Sequence, residues 1–305
     1  MDVESARERP LFAVGTDVYR WDDVVAFARV RGEWDALAED VRTVLAALRE
    51  LELRDESPAD AEVEAAGREF RYRHRLLAGD ELAEWLDRRG VTHPEWRAYL
   101  ERSLARDQLP GVAGPENDVG AYLWPEGICS GCLDELLQTL AGLVVVAPGT
   151  SLEALDDAFD TFSRGAATDE SIAREIETNR LEWLRFDYET ADFGDEDAAR
   201  EGALCVRNDG DSLATVATRA GVALEQRLDW LEEAESELVS QFLAARPGDL
   251  VGPVVVEERF RLAVLRDKRP PLPDDESVRL RAAAAVVERA VARAVSDRVT
   301  WLEPL

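Results

Sequence analysis

The feature that most restricts the fold is a change of period at Leu181. Over residues 34–176 apolar side chains recur at helical spacing, and after Ser277 that spacing returns. Between the two, residues 181–270 fall into short aromatic or β-branched runs separated by brief helical stretches. A 3.6-residue period places one apolar stripe on each helix, whereas strands need alternation or short continuous runs. Both patterns in this order predict an α+β protein, predominantly α, with a β-rich domain inserted into a helical one.

Local punctuation divides the helical part. Residues 11–14 and 18–21 read as a hairpin. Trp34, Leu37, Val41, Val44, Leu45 and Leu48 then share one face. The RDESPAD segment breaks that pattern, and the next helix carries Val63, Phe70 and Leu77, with His74 on the same face as a packing residue. Asp80 is placed to cap a short helix holding Leu82, Trp85 and Leu86, which Gly90 ends. Thr92-His93-Pro94-Glu95 has capping-box spacing ahead of Trp96, Tyr99, Leu100 and Leu104. Glycine and proline make residues 108–118 a loop. A helix opening near Pro125 puts Cys129, Leu133, Leu136 and Leu140 on one stripe. Later helices carry Leu155, Phe159 and Phe162, then Ile172 and Ile176.

The inserted part reads β-α-α-β-α-β-β. LEWLRFDYE is its first strand, helices follow over residues 198–206 and 213–220, and Leu224, Leu228 and Trp230 alternate in a second strand. A short helix with Val239, Phe242 and Leu243 stops at Pro247-Gly248. Two strands then meet at Glu257-Glu258, with Gly252-Pro253 turning the chain into that hairpin. A final helix from about Ser277 to Trp301 places Leu280, Val287, Val291 and Val295 on one face.

Composition narrows the function. A net charge of −28, with Lys268 the only lysine, excludes a general grip on nucleic acid, which needs clustered cations. The acid is spread along the whole chain and reads as a solvated surface; attraction of a basic peptide is the functional alternative. No stretch approaches the roughly 20 apolar residues of a membrane span, and residues 1–14 hold no signal-like apolar run, so the expectation is a cytoplasmic protein without a membrane partner. Three cysteines are an odd number for a disulfide framework. Cys129-Ser130-Gly131-Cys132 has no second CxxC and no nearby histidine, which leaves zinc without four ligands. These cysteines read as small buried hydrophobes, with a redox role as the alternative. Phosphate loops, dinucleotide fingerprints, EF-hand spacing and Ser-His-Asp arrangements are not seen, so neither cofactor nor metal is expected.

The run LVSQFLAARPGDLVGPVVVEERFRLAVLRDKRPP, residues 238–271, resembles the end of a parvulin-type peptidyl-prolyl isomerase domain. Residues 61–109 resemble the core of SurA-type chaperones, with Leu86, Gly90, Thr92 and Trp96 on that family's L-x-x-x-G-x-(S/T)-x-x-x-(F/W) step. Together these likenesses cover most of the chain, least well over residues 108–180. They imply a SurA-like helical peptide-binding domain, residues 1–180 completed by a returning helix in 274–305, and a parvulin-like domain at 181–273. ICSG at 128–131, LEWLRFDYE and AREGALCVRNDGDSLATVA also look like parvulin-related proteins of peptide-maturation gene clusters. That likeness implies a precursor peptide or unfolded polypeptide segment as partner, and a peptide-modifying enzyme as a second one.

Isomerising an Xaa-Pro bond means twisting an amide across a barrier of roughly 18–20 kcal/mol, without covalent chemistry. Parvulins set two histidines beside the rotating carbonyl. Here the first-strand position falls at or beside Asp187 and the last-strand one at Arg261, while the only histidines, His74 and His93, lie in the helical part. Asp187 and Arg261 are therefore expected to be strand neighbours joined as an ion pair. Tyr188, Trp230, Phe242 and Phe260 are expected to line a peptide groove or, as aromatics at regular spacing, to fill the core. Three functions follow: a catalytically degenerate peptide holder, an active isomerase with a non-standard site, or a scaffold for a modifying enzyme.

Overall fold

Helix ends fall mostly where the punctuation places them. The computed structural model describes residues 3–112 and 119–303; of the expected loop at 108–118, residues 113–118 lie outside the described residues. The chain divides into two compact units, Met1–Arg164 with Arg289–Leu305, and Gly165–Glu288.

The first unit opens with α1 (Val3–Arg7), the hairpin β1 (Pro10–Val14) and β2 (Asp17–Arg20), then α2 (Trp21–Val30) and α3 (Glu33–Leu53). Next come α4 (Asp60–Arg73), α5 (Glu81–Arg88), α6 (His93–Gln108), α7 (Gly120–Ser130), α8 (Cys132–Val146) and α9 (Leu155–Ala166). The capping box of α6 forms as expected: Thr92 Oγ1 accepts from the Glu95 amide at 3.4 Å, and Glu95 accepts from the Thr92 amide at 2.7 Å. The main core gathers Phe12, Trp21, Phe27, Phe70, Trp85, Trp96, Trp124 and the apolar face of α8. Trp124 closes over it by donating its indole N–H to the Arg89 carbonyl at 2.9 Å.

Three expectations are corrected in this unit. The helix carrying Val63 and Phe70 stops at Arg73, because Arg75 turns to φ +57°, so Leu77 falls outside it and is 70% exposed. Asp80 makes no side-chain cap to α5; Glu81 instead accepts from the Ala78 amide. The helix expected from Pro125 is two helices. Gly131, at φ +86°, breaks the chain between α7 and α8 with a bend of 72°, so Cys129 and Cys132 lie on different helices and Pro125 sits inside the first. Only glycine adopts that backbone without strain. Among the described residues no single helix is long and apolar enough to cross a membrane; the bent α7–α8 pair has the length and composition, but most of its apolar residues are core.

The second unit contains α10 (Asp169–Thr178), β3 (Arg185–Phe193), α11 (Glu196–Leu204) continued by a π-helical turn at Cys205–Asp209, α12 (Leu213–Ala220), β4 (Leu224–Trp230), α13 (Ser236–Ala244), β5 (Leu250–Val256) and β6 (Arg259–Arg269). The strands form an antiparallel sheet in the order β4-β3-β6-β5, realising the expected β-α-α-β-α-β-β succession. One side of the sheet packs α13 through Phe186, Tyr188, Leu238, Phe242, Ala263 and Leu265. The other packs α11 and α12 through Ala191, Phe193, Ala199, Ala203, Leu213, Val216 and Leu262. Glu257 and Glu258 form the hairpin turn, both at positive φ. Gly252-Pro253 is not that turn. It makes a cis peptide at an irregularity inside β5, where a Cβ on Gly252 would strike the Arg261 carbonyl.

The last helix, α14 (Glu276–Arg298), starts in the second unit and ends in the first. Its buried positions are Val278, Ala282 and Ala294, while Leu280, expected on the packed face, is 66% exposed. The chain ends not in helix but in β7 (Val299–Trp301), which pairs with β1 and completes the sheet β2-β1-β7. The fold class is α+β, with helices in the majority.

Candidate functional site

Side chains alternate along a strand, so β3 offers two different surfaces. Phe186, Tyr188, Thr190 and Asp192 face the α13 side; Asp187, Ala191 and Phe193 face the other. From β6, Arg261, Ala263 and Leu265 join the first set. From β4, Glu225, Arg227 and Asp229 lie opposite Thr190, Tyr188 and Phe186, and none of these three is buried. Helix α13 packs against β5. The face is therefore apolar toward β5 and carries an accessible polar row toward the edge strand β4.

Two pairs dominate that row. Tyr188 is buried and donates its hydroxyl to Asp229 Oδ2 at 2.5 Å. Burial, reinforced by the Asp229 carboxylate, pushes the phenol upward, so it stays protonated. Arg261 is also buried and grips Asp192 with two bonds of 2.7 Å, with a third contact to Glu235 at 3.3 Å. The Arg261 hydrogen bonds hold the Asp192 carboxyl below its ordinary value, and Asp192 in return raises the guanidinium. Next to this pair Thr190, Asp192, Gly221, Val222, Glu225 and Arg259 help enclose a polar hollow of about 280 Å3.

The expected Asp187–Arg261 ion pair is not made. Asp187 sits opposite Asp267 in the β3–β6 register and pairs with Arg269, while Arg261 sits opposite Asp192. Side chains one residue apart on a strand point to opposite faces, so only Tyr188, not Asp187, shares a surface with Arg261. The four aromatic candidates divide too. Tyr188 lies against Phe242 of α13, ring centroids 4.8 Å apart, and neither is exposed. Phe260 packs at the margin of the α11–α12 cluster. Trp230 is half-buried with Ile172, Ile176, Trp183 and Val278, and the guanidinium groups of Arg185 and Arg281 lie over its ring. Sequence reasoning missed Asp192, Asp229 and Glu235. Counting by twos from Tyr188 reaches Asp192; Glu235 lies just before α13 and left no signal.

Elsewhere, Cys129 is buried and its thiol is pushed well up by burial, which disfavours the reactive thiolate; Cys132 is raised for the same reason. Among the described residues no group of three His, Cys, Asp or Glu side chains is placed to hold a metal ion.

No family model and no curated protein matches the sequence. Solved structures that are similar include a SurA-like chaperone of Campylobacter jejuni, at 9% identity and TM-score 0.21 over 97% of this chain and 100% of the other. The foldase protein PrsA of Lactococcus lactis is 10% identical with a TM-score of 0.31, over 97% and 96% of the two chains. The peptidylprolyl isomerase PrsA of Bacillus cereus is 14% identical with a TM-score of 0.28, over 95% and 91%. Agreement at this level fixes neither activity nor client.

Proposed function

We propose that this chain is a peptide-holding chaperone whose parvulin-shaped unit grips a segment without turning it over. The observation that carries the reading is the open polar row on the α13 face. An extended segment laid along edge strand β4 gains main-chain hydrogen bonds, and the accessible side chains of Glu225, Arg227 and Asp229 lie beside it. Holding is favoured over catalysis because the strong donors there are already committed. The Tyr188 hydroxyl is spent on Asp229, and Arg261 is spent on Asp192 and Glu235. A rotating carbonyl meets no histidine and no free cation among these groups. From the sequence likeness, the client is a ribosomally made precursor peptide in the cytoplasm, presented to a peptide-modifying enzyme.

A proline-containing peptide assay tests the reading. Binding that weakens on Glu225→Lys or Arg227→Glu, with no acceleration of cis–trans exchange, supports it. Exchange accelerated by the wild type and lost with Arg261→Met would replace it with the isomerase. Co-purification with a modifying enzyme but with no peptide would favour the scaffold.

A further inference from the structure

Against a chain charge of −28, residues 68–75 (Arg-Glu-Phe-Arg-Tyr-Arg-His-Arg) hold four arginines and one glutamate. They form the end of α4 and the turn beyond it. Beside them lie two adjoining hollows, of about 330 and 200 Å3, which share Arg68 and Arg71 in their walls. The larger lies between α4 and α6, with Gly67, Trp96 and Arg97 among its lining; its wall holds one carboxylate, Glu64, against three arginines. The smaller runs to Tyr72 and Leu77, which are 72% and 70% exposed.

Two details mark this groove as suited to a ligand. Trp96 is 7% exposed, yet its buried Nε1–H has no hydrogen-bond partner among the described residues. Buried donors are nearly always paired, so an orphan in a groove wall invites an acceptor. The positive charge is also unspent. Arg71 donates only to the neutral carbonyls of Leu76, Leu77 and Ala78, and exposed Arg68 forms no ion pair among the described residues. Arg97, by contrast, is paired with Asp60 and Glu101 and is not available.

We propose that the α4–α6 groove docks an extended acidic polypeptide segment. Its carboxylates pair with Arg68 and Arg71, a backbone carbonyl accepts from Trp96 Nε1, and an apolar side chain lies on Tyr72 and Leu77. The preference is opposite in sign to that of the chain as a whole. It operates because charges beyond a Debye length of about 8 Å are screened at physiological ionic strength, whereas these contacts are closer. The proposal rests on the peptide-holding reading and gives it a second, chemically distinct site.

The test uses the full chain and a labelled peptide of alternating Glu and Leu, with a Lys-for-Glu twin, followed by fluorescence anisotropy. The acidic peptide is expected to bind and the twin not to. Arg68→Glu should weaken binding at least about tenfold through loss of a charge-assisted contact. Arg49→Glu, the same charge change at an exposed position on α3 outside the groove, should have little effect. The Trp96 indole N–H resonance, assigned through Trp96→Phe, should move on saturation. Equal binding of the twin, equal losses in the two arginine variants, or an unmoved indole resonance would overturn the proposal. So would displacement of the peptide by an equal concentration of single-stranded oligonucleotide, which would reassign the groove to nucleic acid. If only this peptide fails while a proline peptide still binds in a Glu225-dependent way, the groove proposal falls alone; if no peptide binds, the holding function falls with it.

Discussion

Each unit has an arginine–carboxylate pair at its heart, and the two behave oppositely. In the helical unit Arg102 and Glu126 are enclosed, with side chains 5% and 7% exposed, and Arg102 also lies over the Tyr122 ring. In the sheet unit Arg261 is equally buried, but Asp192 is 27% exposed and Glu235 shares the load. Burial raises Glu126 despite its arginine, whereas Asp192 is pulled down by its own. One bond type thus has two uses. Where both partners are desolvated it joins α6 to α7 and is costly to break; where one partner reaches water it leaves a charged rim on an accessible surface.

Breaking each pair should separate them most clearly. Glu126→Ala leaves a buried guanidinium without a partner and should cost about 3–5 kcal/mol, while the double change Arg102→Met with Glu126→Leu should recover most of that. Denaturant unfolding measures both. Arg261→Met strands two partly hydrated carboxylates, Asp192 and Glu235, so its cost should be about 1–2 kcal/mol. Equal losses for Glu126→Ala and Arg261→Met would erase the distinction. Tyr188→Phe should cost about 1 kcal/mol or less, because Asp229 is free to turn to water.

Titration sharpens the same contrast. Carboxyl NMR should place Glu126 above 4.5 and Asp192 below 3.8. The linkage signs then differ. The contribution of Glu126 is fully present below 4.5 and is lost as pH rises through its raised value. That of Asp192 is present above 3.8 and is lost as pH falls through its lowered value. The smallest effect belongs to His74, lowered mainly by burial beside Phe70 and Trp85. Its contribution is present above 6.5 and fades as pH falls through the lowered value, and His74→Phe should flatten that slope.

Features governed by neighbours in sequence were legible. The Thr92–Glu95 box, the strand alternation of β4 and the Glu257–Glu258 hairpin all depend on a few adjacent residues. Gly131 was misread because Cys129, Leu133 and Leu136 keep helical spacing through the break, so apolar period alone did not expose it. The site failed for a different reason. A strand covered on one face alternates visibly, but β3 is buried on both, with Phe186 and Tyr188 under α13 and Ala191 and Phe193 under α11 and α12. Nothing in such a run declares which parity faces which helix, and a shift of one residue separates Asp187 from Tyr188. Arg102 and Glu126 are 24 positions apart on different helices, and their pairing has no local signature.

The last strand has a consequence for how the chain is made. β1 lies near the start of the sequence, yet one of its two partners, β7, is added only after the whole of the inserted unit, which is complete at Glu288. Domains tend to fold as they emerge, so a nascent chain has an inserted unit able to fold while one edge of β1 is still unpaired. Closure of the first sheet then waits for Val299, Thr300 and Trp301. A chain stopped short of these residues would have a finished inserted unit and an unfinished first sheet.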